Sequence, residues 1–403
     1  MKNDYDVVIV GGGVVGLAVA MRTLELKSDT RLLLLEKEDA LAMHQSGNNS
    51  GVIHSGLYYK SNSLKAKNCI NGYQQLLEFC DKESVPYEIC GKIVVATNKE
   101  ELPRLADLYQ RGMSNGLKGL RMLSSEEIRE FEPNCAGILG LHVPQTGIVN
   151  YHTLAQKFSD SIKRLGGEIR CGSRVNSIKS VVNGAELNAS GQIISCKQVV
   201  TCCGLQSDRM AMFTNPNLDL RIIPFRGEYY ELSSSAKGMV KNLIYPVPDP
   251  NFPFLGVHFT KMIDGGVECG PNAVLAFARE GYKKTDFNLQ DMMEILNWPG
   301  FYKIARKYWR TGLEEFYRSY NKAAFLHALQ RLVPGIEMND LIPCGAGVRA
   351  QACDRNGNLL DDFYVKNEGV TIHVCNAPSP AATSSLSIGG DIANALCQKL
   401  TLQ

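Results

Sequence analysis

The chain opens with an apolar run, a glycine-rich turn and a stretch of helical character. Residues 5–10 have the length and β-branched content of a buried strand, the turn 11–16 follows, and residues 17–26 are predicted to form a helix. The free N–H groups at the start of such a helix can bind a pyrophosphate. A second predicted strand, 31–35, ends at Glu36, whose carboxylate can accept ribose hydroxyls. The pattern predicts a dinucleotide site.

Each part of this turn has a predicted role. Gly11 allows the tight turn, Gly13 lets the backbone approach the phosphates, and Gly16 permits close packing of the helix on the strand. An acid instead of an arginine at the end of the second strand argues against a 2′-phosphate, which leaves FAD or NAD. The predicted cofactor contacts in this unit are Gly11, Gly13, Val14, Val15, Gly16, Glu36 and Lys37.

Size and composition indicate an ordinary globular protein of two domains. The chain has 403 residues, of which 44% are hydrophobic and 21% charged. A net charge of +2 gives no reason to expect a nucleic-acid partner. No apolar stretch is long enough to span a bilayer and no signal segment precedes the first strand, so we expect a cytoplasmic location, with peripheral contact to the inner face of the membrane as an open hypothesis.

The cysteines do not indicate a metal site. There are 13 of them, an odd number, and no two are spaced as Cys-x-x-Cys. We expect reduced, mostly buried thiols and no bound metal. Cys203 and Gly204 follow an apolar strand, where small side chains let a cofactor approach the backbone.

Two further segments contain the residue types of a cofactor site. Residues 44–56 are too rich in Ser, Asn and Gly for a helix or a strand, and are predicted to fold their backbone around a ligand. Residues 376–391 place prolines and small hydroxyl residues at the start of a helix, which favours an anion; a simple Ser/Thr cap is the alternative. The predicted contacts are Gln45, Ser46, Asn49, Ser50, Gly51 and Val52 in the first segment and Ala382, Thr383, Ser384, Ser385 and Leu386 in the second.

Because the chain returns to the cofactor up to its last thirty residues, the larger FAD is favoured over NAD. The predicted fold is α/β, with a discontinuous Rossmann-like FAD-binding domain on a parallel sheet and an inserted α+β substrate domain on a mixed or antiparallel sheet. The predicted FAD-binding domain comprises residues 1–85, 145–220 and 336–403, and the substrate domain comprises 86–144 and 221–335. Within them, helices are predicted at 63–80, 151–165 and 381–400, with helical patterns through 289–333, and strands at 92–97, 168–171, 175–182, 198–203, 225–232, 255–260, 266–270, 345–350 and 373–375.

The glycine turn and the segments 46–59, 225–230, 256–266 and 377–385 together resemble the L-2-hydroxyglutarate oxidase/dehydrogenase family, a group of D-amino-acid-oxidase-like flavoproteins. The resemblance covers nearly the whole chain. It implies non-covalent FAD, oxidation of L-2-hydroxyglutarate to 2-oxoglutarate, and transfer of electrons to a quinone or to oxygen. It also implies that the backbone of Val175 meets the adenine and that Lys261 stands where relatives have Arg, which would replace a bidentate clamp with a point charge.

Oxidation of a 2-hydroxy acid needs hydride transfer from C2 to flavin N5, a base for the hydroxyl proton and cations for the carboxylate. His54 is the predicted base, since its ordinary pKa lies near working pH; a histidine that only binds loop backbone is the alternative. Arg349 is predicted to grip the C1 carboxylate, with a structural ion pair as the alternative. Predicted substrate contacts, each of which could equally be a packing or surface residue, are Arg226, Tyr230, His258, Thr260 and Lys261.

Residues 301–332 interleave aromatic and basic side chains, which is typical of a helix lying in a lipid headgroup layer. A helix packed on its own domain with a solvated basic face is the alternative.

Two other functions remain open from the residues alone. The same fold could oxidise glycerol 3-phosphate or an amino acid, or it could bind flavin for electron transfer without substrate chemistry of its own.

Overall fold

The computed structural model describes residues 4–249 and 254–401, so the outer ends of the predicted cofactor domain, at 1 and 403, lie outside it. The α-helices of the described part are α1 (Val14–Leu26), α2 (Leu64–Glu83), α3 (Leu102–Ser114), α4 (Ser125–Phe131), α5 (Tyr151–Arg164), α6 (Ser207–Met212), α7 (Leu289–Leu296), α8 (Pro299–Tyr320), α9 (Lys322–Gln330) and α10 (Ser385–Thr401). None of these described helices is both long and apolar enough to cross a bilayer.

The strands of the described residues pair into three sheets, one of eight strands, one of nine and one of three. In chain order the strands are β1 (Tyr5–Val10), β2 (Leu32–Leu35), β3 (Val52–Ile53), β4 (Tyr87–Glu88), β5 (Lys92–Ala96), β6 (Arg121–Leu123), β7 (Leu139–Val143), β8 (Gly147–Val149), β9 (Glu168–Arg170), β10 (Val175–Val181), β11 (Gly184–Ala189), β12 (Gln192–Thr201), β13 (Arg221–Leu232), β14 (Leu243–Pro246), β15 (His258–Lys261), β16 (Val267–Gly270), β17 (Val274–Leu275), β18 (Leu341–Cys353), β19 (Tyr364–Glu368) and β20 (Thr371–Asn376).

The first sheet contains the glycine turn. Its centre is parallel, since β1 pairs in parallel with β2 and β12, β2 with β9, and β12 with β20. Helix α1 packs on this sheet and also contacts α5 and α10, which explains why it is apolar on nearly every side. The approach of α10 is close enough that a Cβ at Gly389 would lie 2.8 Å from the carbonyl carbon of Ala18. The predicted parallel cofactor sheet is confirmed.

The second sheet has the strand order β17-β13-β16-β15-β14-β5-β7-β6, with β18 also paired to β13. Its pairs are antiparallel except for β14 with β5, so the predicted mixed sheet is confirmed as well. The small third sheet joins β3, β8 and β4. The cofactor cavity lies between the first two sheets.

The observed boundaries differ from the predicted ones at three places. Strand β18 pairs along β13 in the second sheet, so residues 341–353, predicted in the cofactor domain, extend the substrate sheet instead. The helical pattern at 289–333 divides into α7, α8 and α9, and α8 is itself kinked at Tyr308. Helix α10 begins at Ser385 because residues 381–384 form hydrogen-bonded turns. The division into two domains stays a proposal.

Candidate active site

The glycine turn has the geometry of a phosphate cradle. Gly11 has φ of +111°, and a Cβ there would lie 2.3 Å from the carbonyl oxygen of Cys202. A Cβ at Gly16 would lie 2.0 Å from the carbonyl oxygen of Gly11, so only glycine lets α1 approach the strand end. Gly13 caps α1 without a side chain, and the Val14 N–H donates to Ser46 Oγ at 3.0 Å.

Glu36 is held firmly at the end of β2. One carboxylate oxygen accepts from the Gly12 N–H at 2.7 Å, and the other accepts from the Glu38 N–H at 2.9 Å. The side chain forms part of the cavity wall, where it can accept ribose hydroxyls. The neighbouring Lys37 ammonium also lines the cavity and pairs with Glu280 at 2.8 Å.

The Ser/Asn/Gly-rich segment forms a loop stabilised by its own side chains. Asn49 donates to the carbonyl oxygens of Gln45 at 3.1 Å and Ser46 at 2.7 Å, and its oxygen accepts from the Gly51 N–H at 2.9 Å. Gly51 turns the chain at φ of +65° but does not itself line the cavity.

One cavity of about 1070 Å³ runs from the glycine turn to the second sheet. This volume lies just above the usual range for ligand sites, about 300–1,000 Å³, and suits a cofactor as long as FAD. The predicted cofactor residues that line it are Gly11, Gly13, Val14, Val15, Glu36, Lys37, Gln45, Ser46, Asn49, Ser50, Val52, Val175, Cys203, Gly204 and Ala382. The glycine cradle, the fixed acid and the cavity therefore fit FAD.

The start of α10 is arranged differently from the prediction. Residues 376–382 line the cavity, whereas Thr383, Ser384, Ser385 and Leu386 are buried behind it and do not. Thr383 supports the loop instead: its hydroxyl oxygen accepts from the His54 N–H at 3.1 Å and lies 2.9 Å from the Tyr151 hydroxyl. The correction follows from close packing, since a Cβ at Gly72 of α2 would lie only 2.6 Å from the Cα of Ser384.

The end of the cavity that meets the second sheet is here termed the substrate end, and His54 lies there. Its Nε2 is 3.3 Å from Ser379 Oγ. Burial, and then the electrostatic influence of Lys92, His258 and Lys65, lower the pKa of His54 to about 3. The imidazole is therefore neutral near pH 7 and has a lone pair that can accept a proton.

His258 also faces this end of the cavity. Its Nδ1–H donates to the carbonyl oxygen of Gly256 at 2.8 Å, which leaves Nε2 as the unprotonated nitrogen of the neutral ring. The ring lies against that of Tyr245, with centroids 3.9 Å apart. Burial lowers the pKa of His258 to about 3.

Arg349 extends into the same region from β18. Its guanidinium donates to the Asn272 carbonyl oxygen at 3.3 Å and lies 5.1 Å from the ring centre of Phe254. Burial lowers its pKa, and within residues 4–249 and 254–401 no carboxylate forms an ion pair with it. The arrangement leaves guanidinium donors for an anion and does not match the structural ion pair considered from the sequence.

Two of the predicted substrate contacts on β13 lie on its other face. Arg226 pairs with Glu228 at 3.0 Å and donates to the Lys283 carbonyl oxygen at 3.1 Å. Tyr230 packs edge-on against Phe325, with centroids 4.8 Å apart. The residues of β13 that line the cavity are Gly227 and Tyr229, which alternate with them.

The remaining two predicted contacts, on β15, also fall outside the cavity lining. Lys261 forms an ion pair with Glu88, whose two carboxylate oxygens lie 2.7 and 2.8 Å from the ammonium. Thr260 is buried beside the Tyr245 hydroxyl. Of the five predicted substrate residues, only His258 lines the cavity.

Sequence reasoning missed Lys92, the first residue of β5. Its side chain is 1% exposed and lies against the rings of Tyr58 and Tyr245, which line the substrate end of the cavity, although Lys92 itself does not line it. The available signal was a lysine at the start of an otherwise apolar run, which ordinarily marks the solvent end of a strand. Ser379 and Tyr245 were missed as well.

These features define a flavin-dependent oxidoreductase: a dinucleotide cradle on a parallel sheet, and a substrate end lined by imidazoles and an arginine. The model of the FAD dependent oxidoreductase family, DAO, matches residues 6–395, and the chain belongs to that family. The chain is 55% identical to L-2-hydroxyglutarate dehydrogenase of Indibacter alkaliphilus, over 96% of this chain and 98% of the relative. It is 44% identical to the mitochondrial human enzyme of that name, over 99% of this chain and 90% of the relative.

Solved structures share the fold at lower identity. The FAD-bound, dithionite-reduced L-alpha-glycerophosphate oxidase of Mycoplasma pneumoniae superposes with a TM-score of 0.79 at 22% identity, covering 100% of this chain and 96% of the other. Glycine oxidase of Geobacillus kaustophilus has a TM-score of 0.74 at 16% identity, covering 98% and 95%. At these identities the likeness supports the fold and not the substrate.

Proposed function

We propose that this protein oxidises L-2-hydroxyglutarate to 2-oxoglutarate with FAD as cofactor. The observation that carries the proposal is identity of 43–55% over nearly the full chain to bacterial and animal proteins named L-2-hydroxyglutarate dehydrogenase. The cavity supports it, because its substrate end contains a half-buried arginine and two neutral imidazoles, as oxidation of an anionic 2-hydroxy acid requires.

When bound, FAD supplies the acceptor for the hydride that leaves C2. The residues of the chain provide the remaining steps. Arg349 holds the C1 carboxylate through its free guanidinium donors, which fixes the position of C2. His54 accepts the hydroxyl proton at its neutral imidazole, and Ser379 at 3.3 Å from Nε2 helps to orient the ring. His258, with Nδ1 committed to Gly256, presents Nε2 to the substrate as an acceptor.

Anaerobic bleaching of the flavin tests this proposal against the two alternatives. L-2-Hydroxyglutarate, its D enantiomer, glycerol 3-phosphate and a panel of amino acids are added in turn to the FAD-loaded protein, and the loss of flavin absorbance is followed. We expect rapid bleaching by L-2-hydroxyglutarate alone. Bleaching by glycerol 3-phosphate or an amino acid instead would favour another activity of the fold, and bleaching by none would favour a non-catalytic flavoprotein.

We also propose that electrons pass to a membrane quinone, with α8 as the surface that contacts the lipid headgroups. Helix α9 does not provide that surface, since Phe325 and Leu329 are buried in the core. Helix α8 does expose large apolar side chains: Trp309 is 55% exposed and Leu313 61%. Basic neighbours that can meet anionic headgroups are Lys303, Arg306, Lys307 and Arg310.

Sedimentation with vesicles tests this surface. We expect the protein to bind vesicles containing anionic lipid at low salt, and expect Trp309→Ser combined with Leu313→Ser to abolish binding without loss of flavin. Absence of binding at low salt would contradict the membrane proposal, and oxygen would then be the acceptor to examine.

A further inference from the structure

Lys92 is a buried cation with no anion beside it. Among the described residues no carboxylate pairs with its ammonium and no atom accepts a hydrogen bond from it. It lies instead 4.3 Å from the ring centre of Tyr58 and 5.0 Å from that of Tyr245. Ring faces recover only part of the cost of burying a charge, so a further compensating group is expected.

The two other lysines near the substrate end are compensated. Lys65 pairs with Asp361 at 2.9 Å, and Lys261 pairs with Glu88 at 2.7 Å. Both of those pairs satisfy the ammonium within the chain itself. Lys92 differs from them because no carboxylate of the described residues neutralises its charge.

A second unused polar group lies next to Lys92. The Tyr58 hydroxyl is buried and has no hydrogen-bond partner among the described residues. Tyr58 and Tyr245 both line the cavity, and Tyr245 lies against His258. Lys92 is not itself part of the cavity lining, but its ammonium lies against these two rings. An unpaired ammonium and an unpaired hydroxyl therefore lie together beside the substrate end, and both are donors that suit a carboxylate.

We propose that Lys92 and the Tyr58 hydroxyl bind the substrate carboxylate farther from the oxidised carbon, so that this pair selects dicarboxylate over monocarboxylate 2-hydroxy acids. The inference rests on the proposed function and assigns the second carboxylate, which Arg349 leaves free. Burial lowers the pKa of Lys92 to about 7, and a bound carboxylate would stabilise the protonated form again.

The test uses Lys92→Met in the full-length, FAD-loaded protein, since methionine keeps most of the volume and removes the charge. Steady-state constants are measured for L-2-hydroxyglutarate and for L-2-hydroxyvalerate, which has a methyl group in place of the distal carboxylate. We expect the preference for L-2-hydroxyglutarate in kcat/KM to fall by about 10²-fold, mainly through KM. Lys241→Met, at an exposed lysine, is the matched control and should retain the preference.

An equal loss on both substrates, or an unchanged preference, would overturn the proposal. Inhibitor binding to the wild-type protein provides a second test should Lys92→Met fail to fold. Glutarate and valerate are titrated against the flavin spectrum between about pH 6 and pH 9. Because the free ammonium loses its proton near pH 7, we expect glutarate to lose its advantage by up to about tenfold per pH unit above that point.

A constant ratio of the two inhibitors across this range would also overturn the role of Lys92. The two proposals remain distinguishable. If wild-type protein binds glutarate over valerate in this manner but L-2-hydroxyglutarate does not bleach its flavin, the proposed function fails and the carboxylate site stands.

Discussion

His54→Gln tests the proton acceptor directly. Glutamine has a similar size and can keep a hydrogen bond to Ser379, but its amide cannot accept a proton at neutral pH. The backbone N–H of residue 54 still donates to Thr383, so the loop keeps its anchor. The substitution therefore removes basicity with little change to the structure.

The expected magnitude follows from the environment of the imidazole. A positioned general base typically contributes about 10²- to 10⁴-fold. Because the pKa of His54 is lowered to about 3, its driving force for accepting a proton is weak, which favours the lower half of that range. We expect flavin reduction to slow by about 10²- to 10³-fold, equivalent to about 3–4 kcal/mol of activation free energy.

The assay is anaerobic stopped-flow reduction of the flavin by L-2-hydroxyglutarate, with the absorbance ratio of flavin to protein as the measure of loading. His327→Gln, at an exposed histidine of α9, serves as the control. A rate of flavin reduction within about threefold of the wild-type rate would refute the assignment of His54 as the base, and His258 would then be the next candidate. A loss of bound FAD with a normal reduction rate per flavin would show that His54 only supports the loop.

Two further predictions concern the cofactor and acid stability. Gly16→Ala should abolish FAD loading, because its Cβ would lie 2.0 Å from the Gly11 carbonyl oxygen, and flavin absorbance of the purified protein measures this. His54 and His258 have folded pKa values of about 3, and His373 of about 4, all lowered by burial. The unfolded chain binds more protons between those values and about 6.5, so the melting temperature of the FAD-loaded protein should fall as pH falls from 7 to 5; a constant melting temperature would contradict the neutral, buried imidazoles.

The cofactor half was predictable because its signals are local. A glycine triplet, the strand before it and Glu36 after the next strand lie within one short segment, and each has its role whatever the rest of the chain does. Val175 was predicted from the family resemblance and Cys203 from its position after an apolar strand, and both residues line the cavity. The parallel sheet followed from the same alternation of strands and helices.

The substrate half depended on which face of a strand a side chain occupies. On β13, Arg226 and Tyr230 share one face while Gly227 and Tyr229 share the other, and a pattern of alternating residues does not tell which face meets the cavity. The orientation of β13 is set by its pairing with β18 and by the packing of Tyr230 against Phe325, and both are contacts between residues distant in sequence. Choosing the charged and hydroxylated residues therefore selected the wrong face.

The burial of Lys92 also could not be predicted from the sequence, because it depends on contacts with residues distant in the chain. In sequence Lys92 is a basic residue before an apolar run, and only the long-range contacts with Tyr58 and Tyr245 reveal that it is enclosed. With Lys92 located, the charges of the groups around the substrate end can be considered together. The buried Lys92 and the half-buried Arg349 both lack a carboxylate partner among the described residues, and burial, with a smaller contribution from Lys92, holds both neighbouring imidazoles in the neutral form. A substrate with two negative charges would neutralise both cations while leaving the imidazoles free to accept a proton, which is the arrangement that oxidation of a dicarboxylate hydroxy acid requires.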